Sequence, residues 1–282
     1  MTKKSKVGKT IGWILAVCVV LAAVLWVWGP FSPRERVALT LSAHSDYPMT
    51  EDLHVMADTA DFIVVGAFEA FLDTWNMSRD VENPQLPSSQ YYIEGELYRF
   101  RVDAVLKGEI AESAIQINLP HSERITGEID NAVQDDRGNV IQAATEFDPY
   151  RFDAVYAYYI QPVLGETVIL FLDHSPTFDC YYPAIEPYVI VLGPEGDLTL
   201  KSNFLEDAAA TERLESQYFT SQGGQRIEFR SGMAQTVLTD RISDLTLDQF
   251  LEEIGVEDVS SVRETLEALS GTGDTASAGE EG

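Results

Sequence analysis

Apolar positions fall into three regimes along the chain: one unbroken run near the N-terminus, a long middle of alternation and short solid blocks, and a C-terminal part with helical spacing. The run Ile11 to Trp28 holds 18 residues without a charge and ends at Gly29-Pro30. At about 1.5 Å per residue it reaches roughly 27 Å, enough for one helix to cross a hydrocarbon core. Trp13 lies near one end and Trp26 and Trp28 at the other, where indole rings favour the interface. Lys3, Lys4, Lys6 and Lys9 precede the run, while Arg34 and Arg36 follow it among acidic residues, which predicts a cytoplasmic N-terminus. Ala22-Ala23 continues into Val24-Leu25-Trp26 rather than into a small-x-small cleavage site, and Val17 precedes Cys18 where a lipoprotein needs a small residue. The pattern predicts an uncleaved anchor over residues 11–28.

The middle regime reads as strands. Val37, Leu39 and Leu41 alternate with polar or small residues and predict a short strand. Thr50 reads as the N-cap of a helix through Thr59 whose apolar face is Leu53, Met56 and Ala57. Phe62 to Val65 is a solid apolar block, and alternation resumes beyond Gly66 to Leu72, which predicts a long strand bent at Gly66. Residues 76–90 read as a loop. Tyr98, Phe100, Val102 and Ala104 predict a half-buried strand ended by Lys107-Gly108, and Ile115, Ile117 and Leu119 predict another, stopped by Pro120. Residues 121–150 read as polar connection with a turn at Asp135 to Asn139. Val168 to Leu172, and the hairpin of Tyr188–Leu192 with Leu198–Leu200, complete the strands.

Beyond residue 203 the pattern turns helical. Thr246 with Gln249 and Ser261 with Glu264 read as capping boxes, heading the apolar faces Leu247, Phe250, Leu251, Ile254 and Val262, Leu266, Leu269. The organisation predicted is a basic segment 1–10, a transmembrane helix 11–28, a linker 29–49 with a short strand, a β-domain 50–202, an α-rich extension 203–269 and a disordered tail 270–282. The fold class is mainly β with α additions: a small closed OB-like β-barrel between an N-terminal transmembrane helix and C-terminal helices. A barrel also removes exposed sheet edges.

Charge sharpens this picture. The 282 residues carry 19 basic and 46 acidic side chains, a formal charge of −27. Setting aside the four lysines before the apolar run leaves 15 basic against 46 acidic residues, a net −31 for the rest. With no basic stripe to neutralise phosphates, nucleic acid is excluded as a partner. Only Cys180 lies outside the apolar run, so no disulfide is expected there, and its aromatic surroundings predict a buried, inert thiol.

Candidate chemistry is sparse. Of the four histidines none sits in a metal-binding spacing, and His44, His121 and His174 are those that a histidine-dependent hydrolase would need. His44 and His174 each have serine and aspartate as close sequence neighbours, but adjacent strand residues point to opposite faces. Asp130, Asp135, Asp136 and Asn139 offer oxygens for Ca²⁺, although turn chemistry accounts for them equally and the spacing is not that of an EF-hand. The aromatics Phe147, Tyr150, Phe152, Tyr156, Tyr158, Tyr159, Tyr181 and Tyr182 read as core packing, or as a platform for stacking sugars or peptides. No catalytic, cofactor-binding or metal-ligating residue is assigned from the sequence.

Three segments carry a resemblance: Ala60 to Gly66, Arg101 to Gly108, and Pro162 to Leu172. Together, over roughly residues 50–200, they resemble a loose group of uncharacterised bacterial membrane-anchored and secreted proteins. The resemblance implies a small barrel similar to the OB-fold and to the netrin and tissue-inhibitor-of-metalloproteinase modules. It brings no catalytic residues, and the cysteine framework of the netrin-type modules is missing here. Pattern and resemblance together predict a non-enzymatic binding or scaffold module, anchored in the cell membrane through residues 11–28. An envelope protein or glycan is the expected partner. Two alternatives are a cell-envelope hydrolase with its site between barrel and C-terminal extension, and a cation-responsive surface sensor.

Overall fold

The structure, a computed structural model, describes residues 37–43, 47–134, 137, 140–208 and 214–270. The predicted anchor, His44, Asp135, Asp136, Asn139 and the tail after residue 270 lie outside them. Among the described residues no helix is long and apolar enough to cross a membrane.

The chain is mainly β with few helices. Its centre is β2 (Phe62–Asn76), flanked by β8 (Thr167–Ser175) and β3 (Ile93–Lys107), both antiparallel to it. The solid block Ile63 to Val65 explains that position: side chains alternate in direction, so consecutive apolar residues require cover on both faces. Ile63, Val64, Val65 and Phe68 are buried, as are Val168 to Leu172 opposite. Gly66 lies where the register shifts, and a Cβ there would sit 1.8 Å from the Arg101 carbonyl oxygen. This close approach of two backbones requires glycine, at the position where the sequence predicts a bend in the strand.

The large sheet runs β11-β10-β8-β2-β3-β4-β7, where β4 is Ala114–Asp130, β7 Phe147–Val155, β10 Val189–Leu192 and β11 Leu198–Lys201. The short β9 (Cys180–Pro183) pairs along β8 and touches β4 at the single pair Ile117↔Tyr181. Strands β8, β2, β3, β4 and β9 thus curl round with one residue pair as the last seam, while β10–β11 and β7 extend past it. The sheets do not form a clear closed barrel.

Helix α1 (Leu53–Thr59) buries Leu53, Met56 and Ala57 against this core. Its N-cap is Asp52, whose carboxylate accepts from the His54 and Val55 amides; Thr50 instead accepts from the Asp52 amide. Lys107 closes the other end, its Nζ donating to the Ala57 and Ala60 carbonyls at 2.6 and 2.8 Å.

Three expectations need correction. Pro120 does not end β4, because it sits at a bulge: Pro120 pairs with Gly95 and Ser122 with Glu94, leaving His121 as the extra residue. A bulge tolerates a residue without an amide hydrogen. Past it, β4 stays with β3 as far as Glu123 and from Ser122 onward pairs along its other edge with β7, so much of the expected polar connection is strand; the expected turn is framed by the hairpin of β5 (Val133–Gln134) and β6 (Val140–Gln142). The extension after residue 203 is not α-rich at its start. Here β12 (Ser216–Thr220) and β13 (Arg226–Ser231) form a sheet with β1 (Val37–Ala43), in the order β1-β13-β12. That sheet packs on β7 through Ile227, Phe229 and a stacked Phe152–Phe219 pair with ring centroids 3.9 Å apart.

Helices follow only at α2 (Leu247–Glu253), with the capping box of Thr246 and Gln249, and α3 (Val259–Ser270), inside which Ser261 lies rather than at its cap. Phe250, Leu251 and Leu266 join the main core.

Replacing Gly66 by alanine should destabilise the protein by about 2 kcal/mol or more, because backbone rather than a movable side chain stands in the way. Chemical denaturation followed by tryptophan fluorescence checks this.

Candidate functional site

Alternation along β3 places Glu94, Glu96 and Tyr98 on one face of the sheet. Across the ladder, His121 lies two residues beyond Leu119, the partner of Glu96, and so faces the same side, with its carbonyl accepting from the Tyr156 amide at 2.9 Å. His121 Nδ1 stands 2.7 Å from Glu94 Oε1, and the two side chains are 26% and 24% exposed. Glu94 Oε2 accepts from the Tyr92 hydroxyl at 3.2 Å.

Glu96 is held from the opposite side. Its Oε2 accepts from the Tyr98 hydroxyl at 2.7 Å and the Tyr159 hydroxyl at 2.6 Å. Gln161 bridges the same tyrosines, its Nε2 donating to Tyr98 Oη at 3.0 Å and its Oε1 lying 2.9 Å from Tyr159 Oη. The loop carrying Tyr159 is pinned by Asn203, which donates to the Ala157 and Tyr159 carbonyls at 3.0 and 2.9 Å. The Tyr159 ring meets His121 edge-on at 4.6 Å. Burial, and then the Glu96 carboxylate, push the ionisation of Tyr98 and Tyr159 upward, so both hydroxyls remain donors at neutral pH.

Glu94, Glu96 and His121 are each half-buried, and one ligand atom from each lies within 4.8 Å of the others. With Nδ1 donating to Glu94, the His121 Nε2 carries the ring's lone pair and has no protein partner among the described residues. No hydroxyl or thiol bonds to this imidazole among the described residues. The arrangement offers two carboxylates and an imidazole to a cation or a hydrogen-bond donor.

Other candidate residues go elsewhere. His174 Nε2 is 3.6 Å from Asp179 Oδ1 and packs on Tyr181. Asp130 Oδ1 accepts from the Ala132 amide at 3.0 Å, which is turn chemistry. Cys180 is buried, and burial pushes its thiol up to about 11. Of the aromatic stretch, Tyr150 and Phe152 are core, Tyr156 and Tyr158 stack in line with Tyr47, and only Tyr159 joins the cluster. A cleft of 510 Å³ does open between the large sheet and the C-terminal helices, lined among others by Asp197, Ser243, Asp248 and Arg263, but no histidine lines it.

Sequence reasoning also passed over Glu186. It is fully buried between residues 48–50 and β10, exchanging backbone hydrogen bonds with Pro48 and Thr50. Among the described residues neither of its carboxylate oxygens makes a full hydrogen bond, although the Ser202 side chain stands near enough to interact. Burial pushes it from the ordinary 4.5 up to about 8, with the Ser202 side chain offsetting part of that rise. Tyr47, Tyr158 and Tyr188 crowd the same space, and their ionisation is raised by burial and further by this carboxyl.

No protein-family model matches the sequence, and no curated protein matches it.

Two outcomes follow from this geometry. A double-mutant cycle of Tyr159→Phe and Glu96→Ala should give a coupling of about 1 kcal/mol in denaturation experiments, the size of a half-exposed charge-assisted hydrogen bond. Glu186 has a folded-state pKa above its unfolded value, so its stability contribution is complete below about pH 4.5 and is lost as pH rises through about 8. Glu186→Gln should therefore gain on the native protein across that interval, by a few kcal/mol at its upper end. Parallel denaturation series at stepped pH read the difference.

Proposed function

We propose that this chain is a non-enzymatic binding module, anchored by a single membrane span and facing the extracytoplasmic side. Its ligand-facing surface is the Glu94–Glu96–His121 cluster on β3 and β4. The observation that carries the binding role is the convergence of two carboxylates and an imidazole on a sheet face. Each is held by its own set of partners and left partly open to solvent. The imidazole bonds a carboxylate and meets a tyrosine ring, which suits recognition and not acyl or phosphoryl transfer.

The placement rests on the uncharged run Ile11–Trp28 behind four lysines. The likeness of three segments to bacterial membrane-anchored and secreted proteins agrees with it. The near-ring of β8, β2, β3, β4 and β9 supports an OB-like barrel as the scaffold, with β1, β12, β13 and the C-terminal helices packed around it. A formal charge of −27 suits a surface that stays soluble and repels anionic lipid beneath it.

The full chain, expressed in a bacterium, should stay with the membrane fraction through an alkaline carbonate wash and be digested by protease added outside spheroplasts. Leu21→Arg with Val24→Arg, each arginine costing about 2.5–3.5 kcal/mol at a span's centre, should release it from the membrane. A wild-type chain found in the carbonate supernatant, or shielded from external protease, would overturn this placement.

A further inference from the structure

We propose that Glu94, Glu96 and His121 together hold one divalent first-row transition-metal ion, with Zn²⁺ the representative. The inference rests on reading that cluster as the ligand-facing surface, and it is independent of the membrane anchor.

The donor set is the first argument. An acidic surface patch offers only oxygens, the ligands of Ca²⁺ and Mg²⁺. Here an imidazole joins two carboxylates, a mixed nitrogen and oxygen set that favours Zn²⁺ and its neighbours over the hard cations. The second argument is geometric. Bonds of about 2.0–2.1 Å place the ligand atoms of a tetrahedral ion about 3.4 Å apart. The three donors already lie within 4.8 Å of one another. The 2.7 Å contact of His121 Nδ1 with Glu94 Oε1 opens by under about 1 Å as the ion enters, the ring exchanging to the tautomer whose lone pair is on Nδ1. Glu96 closes the remaining distance by rotation of its side chain, leaving the sheet undisturbed.

The surroundings match what a metal site requires. Tyr98 and Tyr159 both hold Glu96 Oε2, which leaves Oε1 for the ion, and Tyr92 holds Glu94 Oε2 in the same way. Such outer partners orient ligands and raise affinity. The two carboxylates give the site the negative charge that attracts a cation. The guanidinium near it, Arg124, stacks 4.1 Å over Tyr92 and is bonded through two nitrogens to Asp153 at 2.7 and 3.1 Å. Three protein ligands leave a fourth position of the tetrahedron toward solvent, where water or a donor atom of a bound partner completes the site.

The test uses the full chain purified in detergent and stripped of metal with a chelator, titrated calorimetrically with Zn²⁺, and with Mg²⁺ and Ca²⁺ at matched ionic strength. One Zn²⁺ should bind per chain with a dissociation constant in the micromolar range or below, and Mg²⁺ and Ca²⁺ should bind at least a hundredfold more weakly. Glu96→Gln and His121→Ala should each weaken Zn²⁺ at least tenfold, Tyr159→Phe about tenfold, and Asp130→Asn should leave it unchanged. Circular dichroism verifies the fold of each variant. In case a variant does not fold, Co²⁺ added to the wild-type chain should give the intense visible absorption of a four- or five-coordinate site, displaced by Zn²⁺. Absence of saturable Zn²⁺ binding, affinity indifferent to Glu96 and His121, or a purely octahedral Co²⁺ spectrum would each overturn the metal site. None of these outcomes bears on the membrane placement, which the carbonate wash reads separately.

Discussion

A strand whose consecutive residues are all apolar must be covered on both faces, and β2 imposes that requirement on everything around it. Ile63, Val64 and Val65 are fully buried, so β8 and β3 must flank them, α1 must lie on the core they build, and the C-terminal helices must complete the cover. Only a glycine at position 66 lets β3 approach closely enough, since the Arg101 carbonyl occupies the place of a Cβ. The burial of roughly a dozen large side chains on this frame, at about 1.5–3 kcal/mol each before entropy is set against it, exceeds what any surface ion pair here contributes.

The polar cluster is a passenger on that frame. Glu94 and Glu96 belong to the strand whose other end locks β2, and His121 belongs to the next strand in the ladder. Their positions are therefore fixed by backbone pairing rather than by a loop. Alternation along β4 brings them together: His121 lies two residues beyond Leu119, which pairs with Glu96, so it shares that face, and the bulge at Pro120 keeps the ladder in register past it. Holding two carboxylates half-buried beside each other is unfavourable, and the three tyrosine hydroxyls offset part of that by bonding to them.

Much of the frame could be read from the chain. The solid block at Phe62, the alternation around Phe100 and the hairpin near Gly193 each signal their own structure through local pattern, and the glycine at position 66 marks the irregularity in its strand. The capping box at Thr246 did the same. What local pattern misses is partner exchange. Pro120 reads as a stop because proline lacks an amide hydrogen, yet one extra residue in the strand removes the conflict. The alternation of Ile227 and Phe229 beyond the Gly223-Gly224 turn was a legible hairpin signal, masked by the helical spacing farther along. The site was half legible. His121 stood out by residue type, but the Glu94–Glu96 pair, His121 and Tyr159 come from three separate segments, and nothing in their spacing announces that strand pairing and a pinned loop will join them. Glu186 gives no sequence signal at all, since an acid beside a proline reads as exposed turn.

Hydrogen exchange measured residue by residue tests most directly whether the cluster rides on the core. Amides of Glu96 to Tyr98 and Ile117 to Leu119 should exchange as slowly as those of Ile63 to Val65 and Ile169 to Leu172, opening only with the whole fold. Exchange at the β3–β4 ladder orders of magnitude faster than in β2 and β8 would contradict the account, because the site would then belong to a mobile flap and not to the frame.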